Sequence, residues 1–347
     1  MRRSMFDRVR RAIGLVAAAI VAMFAAPDRV QASPRIVAVG DLHGDYEAYE
    51  AIVRAAGLVD GRGRWAGGNT IFVQTGDIAD RGPDSLRIMR HLMQLQRQAP
   101  RAGGRVVALV GNHEAMNVTG DLRYVHPGEY AAFADRNSER RRDQVYEANR
   151  AGIEAAYRGR DPAMTPEAVR QAWLQATPLG MIEHQAAWSP RGELGRWVAG
   201  NPAVALIDGN LFVHGGISAS YARLPIEEIN RSAAAALAAR DASPEAIVND
   251  PAGPLWYRGL VMRGGEAGPP EQSPLSIEQE LDIVLSAYGA RRIVVGHTPV
   301  LTGVAILHGG RLVRIDTGIA APYRGRRAWL EILDGNLVAH VVGAGAR

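Results

Sequence analysis

Five apolar runs of the sequence stop at a glycine, and each is followed by, or ends in, a residue that can bind a metal ion. The runs are "VGDLHGD" (39–45), "TGDIADRGPDS" (75–85), "VGNHEAMN" (110–117), "VHGGI" (213–217) and "VGHTP" (295–299). Glycine lets the backbone turn sharply at the carboxyl end of a strand, and ligand sites of open α/β sheets lie outside those ends. We therefore predict that six side chains converge on one crevice: Asp41, His43, Asp77, Asn112, His214 and His297.

A single member of this series would be weak evidence, because a histidine after a strand is usually structural and a single Gly-Asp is usually a turn. Five members in order, with metal-binding side chains at each strand end, make coincidence the minor hypothesis. The chain has no cysteine, which excludes a thiolate site and a disulfide framework. Any metal must therefore be held by His, Asp, Glu or Asn.

Alternating strands and helices must position these residues. Buried strands are predicted at 35–40, 70–76, 105–111, 210–216 and 292–297, with helices at 45–59 and 83–99. The spacing of Asp41, Asp77 and Asn112 suits successive βαβ units, so the pattern predicts an α/β fold. Hairpin turns are predicted at 208–210 and 334–336.

The segment between Asn112 and His214 differs in character, because it is rich in Ala, Arg and Glu with helical spacing. We predict a helical insertion at about 126–200 and hypothesise that part of it lies over the crevice and sets substrate choice. Loops are predicted between 250 and 275, where Gly and Pro are frequent.

The first 32 residues have the features of a leader. A basic start precedes the apolar run 12–26, which is too short for a bilayer helix of roughly 20 residues, and the small-residue end "VQA" follows. We predict a cleavable signal peptide at 1–32, one domain at 33–347, and a periplasmic or secreted location without a stable membrane span after cleavage. An uncleaved anchor or an apolar core helix is the alternative.

Composition and net charge indicate a globular protein and give no sign of a nucleic-acid partner. The chain has 347 residues, of which 47% are hydrophobic, so it can bury a sizeable core. The leader holds six Arg and two Asp, which account for the whole formal charge of +4. The remainder is near neutral, and nothing in its overall charge points to nucleic acid.

The motifs "GDLHG", "GDIADRG", "GNHE", "HGG" and "GHT" together resemble those of the metal-dependent phosphoprotein phosphatases within the calcineurin-like metallophosphoesterases. The resemblance runs from about residue 35 to 320. "GNHEAMN" continuing into "GDLRYV", the long insertion, and "WYRG" before "GHTP" are most similar to the Shewanella-like phosphatases. The resemblance implies a four-layer α/β/β/α sandwich of two mixed sheets flanked by helices, with a helical insertion.

The resemblance also implies two divalent metal ions. Asp41, His43 and Asp77 would hold the first ion, and Asp77 would bridge to the second. The second ion would be held by Asp77, Asn112, His214 and His297. Such a pair can share a hydroxide for in-line attack on phosphorus. From the family we expect Mn, with Fe or Zn as alternatives that ligand types alone do not separate.

The remaining roles implied by the resemblance concern the proton and the phosphate. His113 would be the general acid that protonates the leaving oxygen, and Asp80 would orient it. Arg81, Arg258 and Asn112 would bind the phosphate. For Arg258 a solvated loop arginine is an equally supported interpretation.

Several other polar residues are interpreted as structural or exposed. These are Glu114, the histidines His91, His126, His184 and His340, and the charged run "ERRRD" at 139–143, which is interpreted as a solvated helix face. His308 repeats the His-Gly-Gly tripeptide of His214, but it lies between two strand-like runs, so we predict a hairpin turn there.

The predicted reaction is hydrolysis of phosphomonoesters in a protein or peptide, on Ser, Thr or Tyr. Pro299 stands where Gly-His-x-His phosphodiesterases have a second histidine, which argues against that activity. A diadenosine tetraphosphate hydrolase is the alternative, because "DRGPDSLRIMRHL" also resembles that group, and a small-molecule phosphatase is a further one. The last alternative is a non-catalytic metal- or phosphate-binding module. The presence of His113 and Asp80 argues against it, because binding alone does not require a proton donor.

Overall fold

The computed structural model describes residues 33–263 and 274–343. The predicted signal peptide at 1–32 and part of the predicted loop region between 250 and 275 lie outside these residues. Within the two described ranges, no helix has the length and apolar character that crossing a membrane requires.

The first half of the fold alternates strands and helices as predicted. Its elements are β1 (Ile36–Val39), α1 (Tyr46–Ala55), β2 (Ile71–Gln74), α2 (Ser85–Gln98), β3 (Arg105–Ala108) and α3 (Asn112–Thr119). Strands β1, β2 and β3 are parallel neighbours, so their carboxyl ends lie at one edge.

The second half supplies the other sheet and completes the first. Its strands are β4 (Val204–Ile207), β5 (Asn210–Val213), β6 (Arg292–Val295), β7 (Ala305–Leu307), β8 (Leu312–Arg314), β9 (Ala328–Leu333) and β10 (Asn336–Val341). Helices α9 (Ile226–Ala239) and α10 (Ile277–Tyr288) lie between β5 and β6 in the chain. The sheet orders are β10-β9-β1-β2-β3 and β4-β5-β6-β8-β7, and both sheets are mixed.

The two sheets pack face to face through one side of each strand. Ile36 and Ala38 of β1 share a buried apolar cluster with Phe212 of β5 and Val294 of β6. The alternate positions, such as Val37, pack instead in the cluster that includes the helices. Period-two alternation thus gives the central strands two buried faces. The predicted architecture of two mixed sheets flanked by helices is confirmed.

The two-residue turns were predicted correctly. Asp208 and Gly209 join β4 to β5, while Asp334 and Gly335 join β9 to β10, and all four have positive φ, from 46° to 80°. Both turns therefore match the hairpin type that favours Asp-Gly. His308 begins a short 3₁₀ turn (His308–Gly310) between β7 and β8, which confirms the predicted hairpin.

Five helices occupy the region of the predicted insertion. They are α4 (Pro127–Phe133), α5 (Ser138–Arg158), α6 (Pro166–Ala176), α7 (Met181–Trp188) and α8 (Glu193–Ala199). The charged run at the start of α5 is only partly solvated, because Arg141 pairs with Asp135 and Glu183 and Arg142 donates to the carbonyl of Thr177. The interpretation as a solvated face is wrong for that half of the run. A single sequence does not show which helix such charges pack against.

Glu129 links the predicted insertion to the first half of the fold. Its carboxylate accepts a hydrogen bond of 2.7 Å from the backbone N–H of Ser85, the first residue of α2. Asp84, at the N-cap of α2, makes no side-chain capping bond. Glu129 therefore caps α2 from another helix, just beyond the loop that carries Asp80 and Arg81.

This buried carboxylate makes stability depend on pH. Burial, with the charges of Asp80 and Asp84, raises the pKa of Glu129 from 4.5 to about 7, although hydrogen bonds from Ser85 oppose the shift. The unfolded chain releases this proton at the lower pH, so Glu129 destabilises the fold as pH rises from about 4.5 to about 7. The penalty reaches about 3 kcal/mol above that range and is absent below it.

Glu129→Gln keeps the acceptor for Ser85 and removes the charge. We expect the variant to match the wild type at pH 4 and to exceed its free energy of unfolding at pH 8 by up to about 3 kcal/mol. Urea denaturation at both pH values measures the difference, with Glu167→Gln at the exposed start of α6 as the control. A pH-independent difference would contradict the assignment.

Candidate functional site

The predicted site residues meet where the carboxyl ends of both sheets come together. Asp41 and Asp77 follow β1 and β2, Asn112 begins α3, and His214 and His297 follow β5 and β6. All six predicted metal ligands, His43 included, are buried, with at most 6% of any one exposed. The structure thus brings together the whole set that the strand-end pattern predicts.

Four potential ligand atoms surround one point of this crevice. His214 Nε2 lies 2.9 Å from Asn112 Oδ1, 3.2 Å from His297 Nδ1 and 3.3 Å from Asp77 Oδ1. His214 Nδ1 donates to the carbonyl of Thr75 at 2.9 Å, which fixes the tautomer with a lone pair on Nε2. This is the arrangement needed for several side chains to share one cation.

A second group adjoins the first through Asp77. His43 Nε2 lies 3.8 Å from Asp77 Oδ2 and 4.0 Å from Asp41 Oδ2. His43 Nδ1 donates to the carbonyl of Ala79 at 3.0 Å, so Nε2 faces the carboxylates with a free lone pair. His113 Nε2 also lies 3.8 Å from Asp77 Oδ2. Spacing alone therefore makes His113 a potential ligand as well as the predicted acid.

The electrostatics of the crevice fit divalent cations. Burial and the nearby charges of Asp316 and Asp77 raise the pKa of Asp41 well above its ordinary value, and burial lowers the pKa of His43 to about 3. Crowded carboxylates and neutral imidazoles are both stabilised by a bound cation. His297 Nε2 is buried without a hydrogen-bond partner among the described residues. This donor set of oxygen and imidazole suits Mn, Fe or Zn.

Glu114 organises the backbone around Asp77. One carboxylate oxygen accepts hydrogen bonds of 2.8 Å from the N–H groups of Asp77 and Gly111. The other accepts from Ile78 at 2.8 Å and Ala79 at 3.0 Å. The predicted structural role of Glu114 is confirmed, since its four bonds fix the loop that carries the shared carboxylate.

His113 is oriented by Asp80, as the prediction requires. His113 Nδ1 donates to Asp80 Oδ2 at 2.6 Å, and the other oxygen of Asp80 accepts from Asn117 Nδ2 at 2.8 Å. Burial alone would lower the pKa of His113, but the charge of Asp77 and the hydrogen bond and charge of Asp80 outweigh it and raise the pKa. His113 Nε2 is therefore the ring atom on the crevice side, near Asp77 and Arg81.

The two predicted phosphate-binding arginines lie beside this constellation. The Arg81 guanidinium lies 5.0 Å from the ring centre of Tyr124 and 5.2 Å from that of Tyr323, and Arg81 Nη2 is 3.3 Å from His113 Nε2. Arg258 Nη1 donates to the carbonyl of His297 at 3.3 Å. Arg258 is half-buried at the site, so its interpretation as a solvated loop arginine is wrong.

A buried carboxylate anchors the loop that carries Arg258. Glu280 is fully buried and accepts hydrogen bonds of 2.6 Å from the hydroxyl of Tyr257 and from Arg263, and one of 2.9 Å from the N–H of Ala219. The segment after His214 and the segment before Arg258 are thereby joined to α10.

Unusual backbone conformations are concentrated at the site. Ten non-glycine residues of the described chain have positive φ, and five of them are His43, Asp77, Asp80, Arg81 and His297, with φ between 44° and 71°. Side chains disfavour this region, and such residues cluster at functional sites. The backbone thus supports the same location independently of the side chains.

Some contributors were missed by the sequence analysis. Asp316 follows β8, and burial together with the charge of Asp77 raises its pKa to about 6, although hydrogen bonds oppose the shift. "RIDTG" follows the same strand-end rule, which could have identified it. Tyr124 and Tyr323 lie in loops without a pattern. His91, His126, His184 and His340 lie outside both ligand groups of the described residues, as predicted.

Comparison with known proteins identifies the family to which this chain belongs. Residues 34–301 match the model of the calcineurin-like phosphoesterases, so the chain belongs to that family and is a phosphatase. It is 32% identical over 309 residues to an uncharacterised Schizosaccharomyces pombe protein, covering 86% of this chain and 76% of that one. It is 30% identical over 301 residues to Shewanella-like protein phosphatase 2 of Arabidopsis thaliana, covering 84% and 73%.

Solved structures show the same relationship. A cold-active protein tyrosine phosphatase is similar with a TM-score of 0.65 and 27% identity, over 89% of this chain and 77% of that one. A Saccharomyces cerevisiae protein serine/threonine phosphatase, at 16% identity and a TM-score of 0.54 over 92% and 83%, shows the fold alone. The resemblance to the Shewanella-like phosphatases is confirmed.

Proposed function

We propose that this phosphatase hydrolyses phosphomonoesters of peptides or proteins, with phosphotyrosine as the preferred substrate. The observation that carries the proposal is the hydrogen bond of 2.6 Å between His113 and Asp80, next to His43 and His214, which both approach Asp77. A binding module needs the ligands but has no use for an oriented proton donor.

The metal ligands would be divided between two divalent cations. Asp41, His43 and Asp77 would hold one ion, and Asp77, Asn112, His214 and His297 would hold the other. When bound, such a pair activates water and neutralises phosphate charge. Mn is the expected metal, with Fe or Zn as alternatives.

The protein's own residues position the phosphate and supply the proton. Arg81, beside His113, and Arg258, beside His297, would offer paired N–H donors to phosphate oxygens. Asn112 turns Oδ1 toward His214, and its amide nitrogen makes only a long contact of 3.9 Å to Met116, so it can donate as well. His113 Nε2 transfers a proton to the leaving oxygen, and Asp80 stabilises the imidazolium that precedes this transfer.

The shape next to the site favours an aromatic leaving group. A cleft of about 490 Å³ is lined by Tyr124 and Trp256. The Tyr124 ring lies 5.1 Å from the ring of His113, and the Trp256 ring lies 5.7 Å from that of His297. A phenyl group leaving from the crevice would therefore contact aromatic walls. The similar solved structure is named a protein tyrosine phosphatase, which supports the same substrate.

A substrate panel tests this proposal. For one peptide sequence carrying phosphotyrosine, phosphoserine or phosphothreonine, we expect kcat/KM to favour phosphotyrosine by about tenfold, as one aromatic contact would give. Tyr124→Ala should reduce that preference, whereas Tyr157→Ala, on α5 of the predicted insertion, should not. Faster cleavage of diadenosine tetraphosphate than of every phosphopeptide would contradict the proposal.

A further inference from the structure

A basic cavity, separate from the candidate site, lies on the helical face formed by α1 and α2. It has a volume of about 450 Å³, and the turn at 61–63 forms part of its lining. Five basic side chains line it, those of Arg54, Arg62, Arg87, Arg90 and His91. The single carboxylate in the lining is that of Glu50. None of these residues belongs to the site described above.

The cavity keeps a positive charge after its ion pairs are counted. Arg54 pairs with Glu50 at 2.9 Å, and Arg90 pairs with the exposed Glu193 at 3.0 Å. The guanidinium groups of Arg62 and Arg87 form no ion pair with a carboxylate within 4.0 Å in the described part of the chain. Two guanidinium groups are therefore left to face an external anion.

Other contacts fix the Arg87 side chain and the backbone turn that carries Arg62. The Arg87 guanidinium stacks 3.5 Å from the ring centre of Tyr46, which leaves its N–H edge available. The turn that carries Arg62 is fixed because Asp60 accepts a hydrogen bond of 2.8 Å from the N–H of Arg62. His91 Nε2 donates to the carbonyl of Gly63 at 2.7 Å, and His91 Nδ1 accepts from the Tyr49 hydroxyl at 3.0 Å.

The chain uses arginine and no lysine, so arginines are frequent on its surface. This composition does not by itself make a cavity basic. A cavity of about 470 Å³ along α5 is lined by three carboxylates, Glu139, Asp143 and Glu147, and one arginine. The concentration of guanidinium groups between α1 and α2 is therefore a property of that location.

We propose that this cavity binds an anion that carries two or more negative charges on phosphate groups. Arginine forks match phosphate oxygens in geometry and charge, and the volume is that of a small-ligand site. Tyr46 follows His43 by three residues, so the cavity begins near the catalytic loops. The anion is a free small molecule or a second phosphate on a substrate, and both present the same chemistry to the arginines.

Calorimetry of the metal-loaded protein with methylenediphosphonate, which phosphatases do not hydrolyse at its P–C–P bonds, tests the proposal. The wild type should bind the probe at this cavity as well as at the catalytic site. Arg62→Ala/Arg87→Ala should weaken one of the two binding events by roughly tenfold or more, leaving the other unchanged. Arg97→Ala/Arg101→Ala, which removes the same charge from exposed positions beyond the cavity, should bind as the wild type does.

Unchanged binding by Arg62→Ala/Arg87→Ala, or an equal loss in the control, would overturn the proposal. A kinetic comparison identifies the source of the anion and rests on the proposed phosphatase function, whereas the binding experiment does not. If the anion is a second substrate phosphate, the double variant raises KM for a doubly phosphorylated peptide and leaves KM for p-nitrophenyl phosphate unchanged. If it is a free anion, both KM values stay unchanged while probe binding is lost.

Discussion

His113→Asn is expected to slow the hydrolysis of phenyl phosphate by about 10²–10⁴-fold while the metal content stays that of the wild type. Asparagine preserves a hydrogen bond to Asp80 but has no proton to give to a leaving oxygen at neutral pH. Steady-state rates, with metal content measured on the same samples, test this expectation.

The leaving group provides the internal control. The loss should be smaller on p-nitrophenyl phosphate, because nitrophenolate leaves with little need of a proton. Asp80→Asn should show the same dependence on leaving group to a smaller degree, since it weakens the orientation of His113 without removing the ring. An His113→Asn protein that cleaves phenyl phosphate at the wild-type rate would show that the acid is another group.

The second large effect distinguishes the two His-Gly-Gly tripeptides. His214→Ala should abolish activity and reduce the bound metal, because Nε2 is the atom around which Asn112, His297 and Asp77 converge at 2.9–3.3 Å. Elemental analysis of the purified variant, alongside activity, measures both losses.

His308→Ala is the matched control, because the same tripeptide here forms the turn between β7 and β8. Loss of its exposed contact with Glu278 should cost at most about 1 kcal/mol of stability and leave activity almost unchanged. Full activity and metal content in His214→Ala, or a loss of activity in His308→Ala that exceeds its loss of stability, would contradict the assignment.

The strand-end pattern predicted the ligand set because each part of it is local. A short apolar run, a glycine and a polar residue form a strand and its exit loop whatever the remainder does, and the parallel strands then bring the exits together. Asp41, Asp77 and His214 needed no knowledge of distant packing. Their roles as ligands stay predictions that the variants above test.

The parts that the sequence did not reveal depend on contacts between distant loops. The Arg81 guanidinium approaches the rings of Tyr124 and Tyr323. The loops that carry these two tyrosines have no periodicity or composition that would predict the contact. The ion pairs of the charged run on α5 were missed for the same reason, since a helix pattern does not show that Arg141 meets Glu183. Side chains that join separate segments can be recognised only when the tertiary fold is known.

The left-handed backbone at His43, Asp77, Asp80, Arg81 and His297 has a consequence for protein engineering. Each such residue holds a conformation that costs on the order of 1 kcal/mol or more, which glycine would adopt freely. A glycine there would release this strain but would also remove the side chain that the proposed function needs, and at Asp80 it would leave the buried donors of His113 and Asn117 without their shared acceptor. A thermostabilised form of this enzyme has to be selected with turnover as a second criterion.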